Sequence, residues 1–327
     1  MPRSRSVTSI TCQNPACRFF LIEEGKDLTK NGKNSAGNQQ YFCHHCQTYF
    51  VETKNTPYYH SRLDRSEVER ICRHAPEKIS MRGVARVTGH HRDTISRYYR
   101  LLGEHAERLT DHILHPIAPG RIELDELWTF IHKKNKHCVG VNDRNHGDRW
   151  VYTAIRSNSR LFLAHFGGKR TETTCALALD LMFTRLQLPT PSARIIVATD
   201  GNAQYVEALA RLYCEPCIDY GQVIKHREGN RLVGVSRVNI RGNPAVEAIS
   251  TSNVEGYNNK IRQRLSRFGR RTAAFSKRIV ACIAALNVFQ FVSNFVEGKG
   301  GETPAMKEGI TDHVWTWQEF LTYHIQL

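Results

Sequence analysis

The hydrophobic pattern divides the chain into stretches of different period. Residues 1–56 are polar, and an Asn/Gly/Ser/Gln-rich segment over 31–40 separates two pairs of cysteines. From 63 to about 109 apolar residues recur at helical spacing among many basic ones. After Pro116, Pro119 and Gly120 the texture changes to β-type runs at 122–131, 150–155 and 161–166, so Pro119-Gly120 marks a domain boundary. A helical stretch over 173–186 leads to the apolar run Ile195-Ile196-Val197-Ala198, which ends in Asp200-Gly201. Strands separated by crossover-length helices predict an α/β core. Residues 214–250 carry no readable period. Two long helices follow, over 253–268 and 275–295, and then a glycine-rich link at 298–301 and an aromatic segment around Trp315 and Trp317.

Composition narrows the class. Of 327 residues, 40% are hydrophobic and 24% charged, as in an ordinary globular protein, but the net charge of +15 calls for a polyanionic partner. The most apolar stretch, 279–292, is short and contains Asn287 and Gln290, and no apolar segment follows Arg3 and Arg5. The expectation is therefore a cytoplasmic, nucleic-acid-binding protein without a membrane partner.

Cys12-x4-Cys17 and Cys43-x2-Cys46 form two paired knuckles, a spacing that suits one tetrahedral, structural zinc ion in a reducing compartment. His44 and His45 lie inside the second knuckle as alternative ligands that solvent would otherwise hold. Cys214-x2-Cys217 has no second pair nearby, and Cys72, Cys138, Cys175 and Cys282 fit ordinary core positions. Between them, residues 82–89 predict a short helix that ends at a glycine turn, and 90–99 open a second; a basic helix over 64–74 precedes both. Val84, Val87, Ile95 and Tyr98 supply a small core for this helix-turn-helix, while His91, Arg92, Thr94, Ser96 and Arg97 offer groups for phosphates and base edges.

The acids carry the candidate chemistry. Strand alternation in Ile122–Trp128 sets Glu123 and Asp125 on one face and Glu126 on the other, and spacing does not choose among them. Asp200 ends an apolar strand, where α/β sheets place functional groups. Glu255 lies near the start of a helix whose apolar stripe is Val254, Tyr257, Ile261, Leu265 and Phe268. One strand carboxylate with Asp200 and Glu255 would suit a pair of Mg²⁺ ions and phosphoryl transfer. Downstream, Lys260, Arg262, Arg264, Arg267, Arg270, Arg271, Lys277 and Arg278 follow without an intervening acid, a pattern for phosphate contact.

Three segments resemble the transposases of the insertion-sequence-one family: Asn31-Gly32-Lys33 through Phe42-Cys43-His44-His45-Cys46; Leu124-Asp125-Glu126-x-Trp128 with Thr199-Asp200-Gly201; and Glu255-x-x-Asn258 with the basic run from Ile261 to Lys277. The likeness spans most of residues 10–295. It implies a zinc ribbon (1–56), a helix-turn-helix region (57–112), a ribonuclease-H-like catalytic domain (120–297) and a tail (298–327). It also implies Asp125, Asp200 and Glu255 as the catalytic, Mg²⁺-binding set, and DNA as partner, bound at terminal inverted repeats and at the target by a homo-oligomer. The implied reaction is cleavage of the element's ends followed by strand transfer. A DNA-binding regulator and a nuclease without strand transfer are the alternatives. Two departures stand out: the interval from Asp200 to Glu255 is longer than in compact members, and Tyr257 stands where they often carry a histidine.

Overall fold

A computed structural model describes residues 10–22, 28–212 and 215–324. The N-terminal unit is an antiparallel meander of β1 (Leu28–Lys33), β2 (Gln39–Cys43) and β3 (Thr48–Val51), in which Cys43 pairs with both Leu28 and Thr48. Its interior is little more than Tyr41 stacked on Phe50 and the cysteines themselves, too small to hold a fold without a further bond.

Three helices follow: α1 (Arg65–Arg73), α2 (Met81–Thr88) and α3 (Arg92–Ile113). Their ends are written locally. Asp64 and Ser80 accept from the backbone N–H of Glu67 and Gly83, Gly89 closes α2 in the left-handed conformation at φ 77°, and His91 caps α3 through its ring. Val84, Ile95 and Tyr98 are buried as expected, whereas Val87 is 62% exposed. Thr88, one full turn from Val84, takes the inward position expected of Val87 and bonds back to the Val84 carbonyl, which turns Val87 outward.

The main sheet has six strands in the order β6-β5-β4-β7-β8-β9. Central β4 (Arg121–Ile131) pairs antiparallel with β5 (Gly147–Arg156), which pairs antiparallel with β6 (Phe162–Gly168). On its other side β4 runs parallel to β7 (Ile195–Asp200), and β7 parallel to β8 (Ile218–Glu228). The outer strand β9 (Arg231–Arg241) returns antiparallel along β8. The region 214–250, unreadable in sequence, is thus mainly a long hairpin.

Helices cover both sheet faces. The even-numbered positions Ile122 and Leu124 meet α4 (Glu172–Thr184) and α5 (Ala203–Leu212); the odd-numbered Leu127 and Ile131 meet α6 (Ser252–Arg264) and α7 (Ile279–Phe291). The last predicted helix begins later than expected, at Ile279, and runs on as a π-turn over Val292–Val296. This segment is long and apolar enough to cross a membrane by composition alone, yet most of it is buried in the protein. Its polar groups face the sheet: Gln290 donates to the carbonyls of Phe162 and Leu163, and Asn294 bonds both the N–H and the carbonyl of Phe162. The C-terminal segment also belongs to the core. After α8 (Pro304–Lys307), α9 (Trp317–Thr322) buries Phe320 and Leu321, and the His105 ring on α3 bonds the Phe320 carbonyl at 2.7 Å.

Helix α3 crosses α7 where Gly103 has no side chain to spare: a Cβ there would lie 2.4 Å from Ala284 Cβ and 2.8 Å from its Cα. Gly103→Ala is expected to lower stability by about 1–3 kcal/mol through overpacking, despite the better helix propensity of alanine. A denaturant midpoint equal to or above the parent's would show that the two helices can separate freely.

Candidate active site and metal centres

The register of β4 against β7 decides where the acids meet. The two strands are paired only at Arg121–Ile196, Ile122–Val197 and Glu123–Ala198, and then diverge. The same register brings Asp125 level with Asp200 across the opening. Asp125, Glu126 and Asp200 each place a carboxylate oxygen there, all within 4.8 Å of one another. Because pairing has ended, the side chains of successive strand residues reach the gap from opposite faces of the sheet.

Each acid is oriented by named partners. Asp125 Oδ2 accepts from Asn258 Nδ2 at 2.9 Å and Oδ1 from the Glu126 N–H at 2.8 Å; Thr153 in turn donates to Asn258 Oδ1 and fixes which way that amide points. Glu126 accepts from Asn202 Nδ2 at 2.7 Å and pairs with Arg170 at 3.1 Å. Asp200 Oδ1 accepts from the Asn202 N–H at 3.1 Å, so the turn after β7 ties two of the acids together.

Glu255 stands apart from this trio among the described residues. Its Oε1 accepts from Lys225 Nζ at 2.6 Å, on β8, and from Thr251 Oγ1 at 2.5 Å. It nevertheless lies on the helix that touches the trio, one turn before Asn258. Glu123, a candidate in sequence, has another role. It is fully buried and accepts from the N–H groups of Asn253 and Val254 at 2.7 and 3.1 Å, from Asn253 Nδ2 at 2.7 Å and from Arg121 at 3.0 Å. It therefore caps α6 from the strand. Tyr257 is packing: its ring sits between Phe162 and Phe289.

Electrostatics favour a cation in the gap. Burial, with the charges of Asp200 and Glu126 beside it, pushes Asp125 up to about 6, against the hydrogen bonds from Asn258 and Glu126. Burial and the neighbouring Asp200 also raise Glu126. Three oxygen ligands with this mutual repulsion suit a hard divalent ion, which would relieve it.

The four N-terminal cysteines converge on a second centre. Cys12 Sγ is 3.7 Å from Cys46 Sγ, Cys17 Sγ is 4.0 Å from Cys43 Sγ, and all four lie within 4.8 Å. A tetrahedron with Zn–S bonds of about 2.3 Å requires S···S separations of about 3.8 Å. These residues can bind a structural zinc ion. Burial pushes the Cys12 and Cys43 thiols up; burial acts on Cys46 too, but bonds with Thr48, Asn14 and Cys43 outweigh it and bring that thiol to about 6. His44 bonds Thr29 and His45 packs edge-on to Phe19, outside the quartet. Cys217 is buried and in no such group among the described residues, and Cys214 lies outside them. Cys72, Cys175 and Cys282 are core residues; Cys138 is only half-buried, in a loop.

No protein-family model matches this chain. No curated protein matches it either.

The basic residues separate into two groups. At the start of α3, His91, Arg92, Ser96 and Arg97 are exposed and Thr94 half-buried; His91 is taken up by its cap, and Arg97 reaches the His60 carbonyl. On and after α6, Lys260 and Arg264 pair with Glu297, Arg264 also with Glu77, Arg262 bonds the carbonyls of Trp128 and Phe268, and Arg267 bonds the Ala281 carbonyl. These four hold the fold together. Arg270, Arg271, Lys277 and Arg278 remain exposed in the loop before α7.

Two outcomes test the centres. The purified chain is expected to carry one zinc ion by elemental mass spectrometry, and Cys43→Ser to lose it together with amide protection in β1–β3 while the six-stranded sheet stays protected. For the acids, a carboxyl whose pKa rises from 3.8 to about 6 on folding favours the metal-free protein below pH 3.8, and that gain is lost as pH rises through 6. Without divalent ions, Asp125→Asn should therefore gain stability relative to the parent between pH 4 and 7, by up to about 3 kcal/mol. A constant difference across that range would contradict the assigned burial.

Proposed function

We propose that this chain is a metal-dependent DNA transposase of the type found in the insertion-sequence-one family, with Asp125, Asp200 and Glu255 as its catalytic acids. The observation that carries the reading is the meeting of Asp125 and Asp200, two of the acids in the resemblant motifs, in the gap between β4 and β7. The order of three antiparallel strands followed by two parallel ones, β6-β5-β4-β7-β8, supports a ribonuclease-H-like reading of the sheet. Its partner is DNA, bound as terminal inverted repeats and as target by a homo-oligomer, with the helix-turn-helix and the exposed loop cations 270–278 as grips.

Asp125 and Asp200 would hold the Mg²⁺ ions, with Glu126 as a further ligand beside them and Glu255 on the adjoining helix. Bound there, such ions lower the pKa of an attacking water or 3′-hydroxyl and stabilise the leaving oxygen. The chain's own residues prepare that chemistry. Asn258, itself oriented by Thr153, holds the Asp125 carboxylate in place, and Asn202 spans Asp200 and Glu126. Lys225 holds Glu255 in position on α6 through their ion pair.

Asp200→Asn is expected to abolish Mg²⁺-dependent cleavage of an inverted-repeat duplex, by about a hundredfold or more, with repeat binding retained. Unchanged turnover would refute the assignment. Tight repeat binding without any cleavage by the parent points instead to a regulator. Cleavage without joining of a labelled repeat end to plasmid points to a nuclease.

A further inference from the structure

The β8–β9 hairpin does more than close the sheet. β8 stays paired to β7 only as far as Asp200–Val223; beyond it, β8 and β9 continue as a two-stranded ribbon. The ribbon therefore leaves the body of the protein level with the carboxylate gap. From Lys225 to Glu228 every residue is exposed, and β9 is exposed along most of its length on both faces. Gly229-Asn230 closes it in a tight turn, with Gly229 at φ 60°.

Cross-strand partners share a face, so the register sorts the ribbon's side chains. Val223–Arg237, Lys225–Val235 and Arg227–Leu232 fall on one face; Ile224–Ser236, His226–Gly234 and Glu228–Arg231 fall on the other. The first face is the one from which Lys225 reaches Glu255. It carries Lys225, Arg227 and Arg237 with no acid of the ribbon among them, interleaved with the exposed apolar side chains of Leu232 and Val235; Lys225 pairs with Glu255 of α6, Arg227 Nη1 donates to the Asn230 carbonyl at 3.3 Å, and Arg237 Nε donates to the Ile249 carbonyl at 2.9 Å. The second face mixes Arg231 with Glu228. An unpaired ribbon of this width fits the major groove of duplex DNA, and alternate cations suit its phosphates.

We infer that the β8–β9 ribbon is a DNA-binding arm, which uses its Lys225–Arg227–Arg237 face to guide duplex DNA into the carboxylate gap. The inference rests on the transposase reading for its choice of DNA, although the geometry of the ribbon does not depend on it. Charge complementarity favours DNA over a second copy of this strongly basic chain.

The test uses the full, zinc-loaded chain, a short fluorescein-labelled duplex of mixed sequence, and two variants with the same charge change on opposite faces. Arg227→Glu should weaken duplex affinity about tenfold and make the dependence on salt shallower, whereas Arg231→Glu should stay within about twofold of the parent. Equal effects of the two variants, or none, would overturn the arm. So would a change in oligomeric state by light scattering with DNA affinity unaltered, which would make the ribbon a contact between copies. Metal-dependent nicking by the parent separates the two ideas. Nicking with an unaltered Arg227→Glu affinity removes the arm alone. Loss of affinity in Arg227→Glu without any nicking by the parent supports the arm and removes the transposase reading.

Discussion

A carboxylate sealed inside the sheet–helix interface organises the half of this protein built on the six-stranded sheet. Glu123 has no contact with solvent, and a lone buried charge of that kind would cost several kcal/mol. Helix α6 begins without a side-chain cap of its own, leaving backbone N–H groups in need of an acceptor. Each deficit answers the other: the strand acid receives the N–H groups of Asn253 and Val254, and the positive end of the helix dipole stabilises the acid. With Arg121 and the Asn253 side chain completing its shell, Glu123 fixes α6 in height and rotation over β4. Two residues along the same strand face, Asp125 then receives Asn258 from that helix. One face of one strand thus anchors the helix and presents the acid that the helix orients.

The two prospective metal centres would draw on cations for different reasons. The cysteine quartet sits in a unit with almost no apolar interior, so ligation there would substitute for a core. The carboxylate gap sits in a well-packed domain, and burial there, with the charges of Asp200 and Glu126 adding to it, raises Asp125. Glu255, outside that cluster, is paired instead with Lys225 of β8.

Much of this was legible in the chain, and the failures share a cause. Paired cysteine spacing is a local, chemically narrow signal, and the quartet closes as that spacing predicts. The capping residues Asp64, Ser80 and Gly89 are equally local, and the helices start and stop there. Glu126 was harder. Alternation assigns it to the face opposite Asp125, and only the end of β4–β7 pairing, a property of two distant segments, lets both faces reach one opening. The basic run reads in sequence as a pattern for phosphate contact, but Lys260, Arg262, Arg264 and Arg267 are met in the fold by Glu77, Glu297 and backbone carbonyls, and Glu77 and the Trp128 carbonyl come from far away in sequence. The interval 214–250 gave no period because β8 is buried for half its length and bare for the rest, so neither alternation nor a continuous apolar run survives.

The bond from His105 to the Phe320 carbonyl spans 215 residues of sequence. Burial lowers the ring's pKa to about 4, so the neutral ring donates here and needs this acceptor for its buried N–H. During synthesis, α1 and α3 leave the ribosome long before α9 exists, and their inner surfaces wait uncovered for nearly the whole chain. Closing so long a loop is entropically costly and slow, which places the completion of the N-terminal helices among the last steps of folding. A chain cut short before residue 317 would therefore carry helices α1–α3 with an open flank, exposed to proteases and to aggregation, even though every residue of those helices had been made.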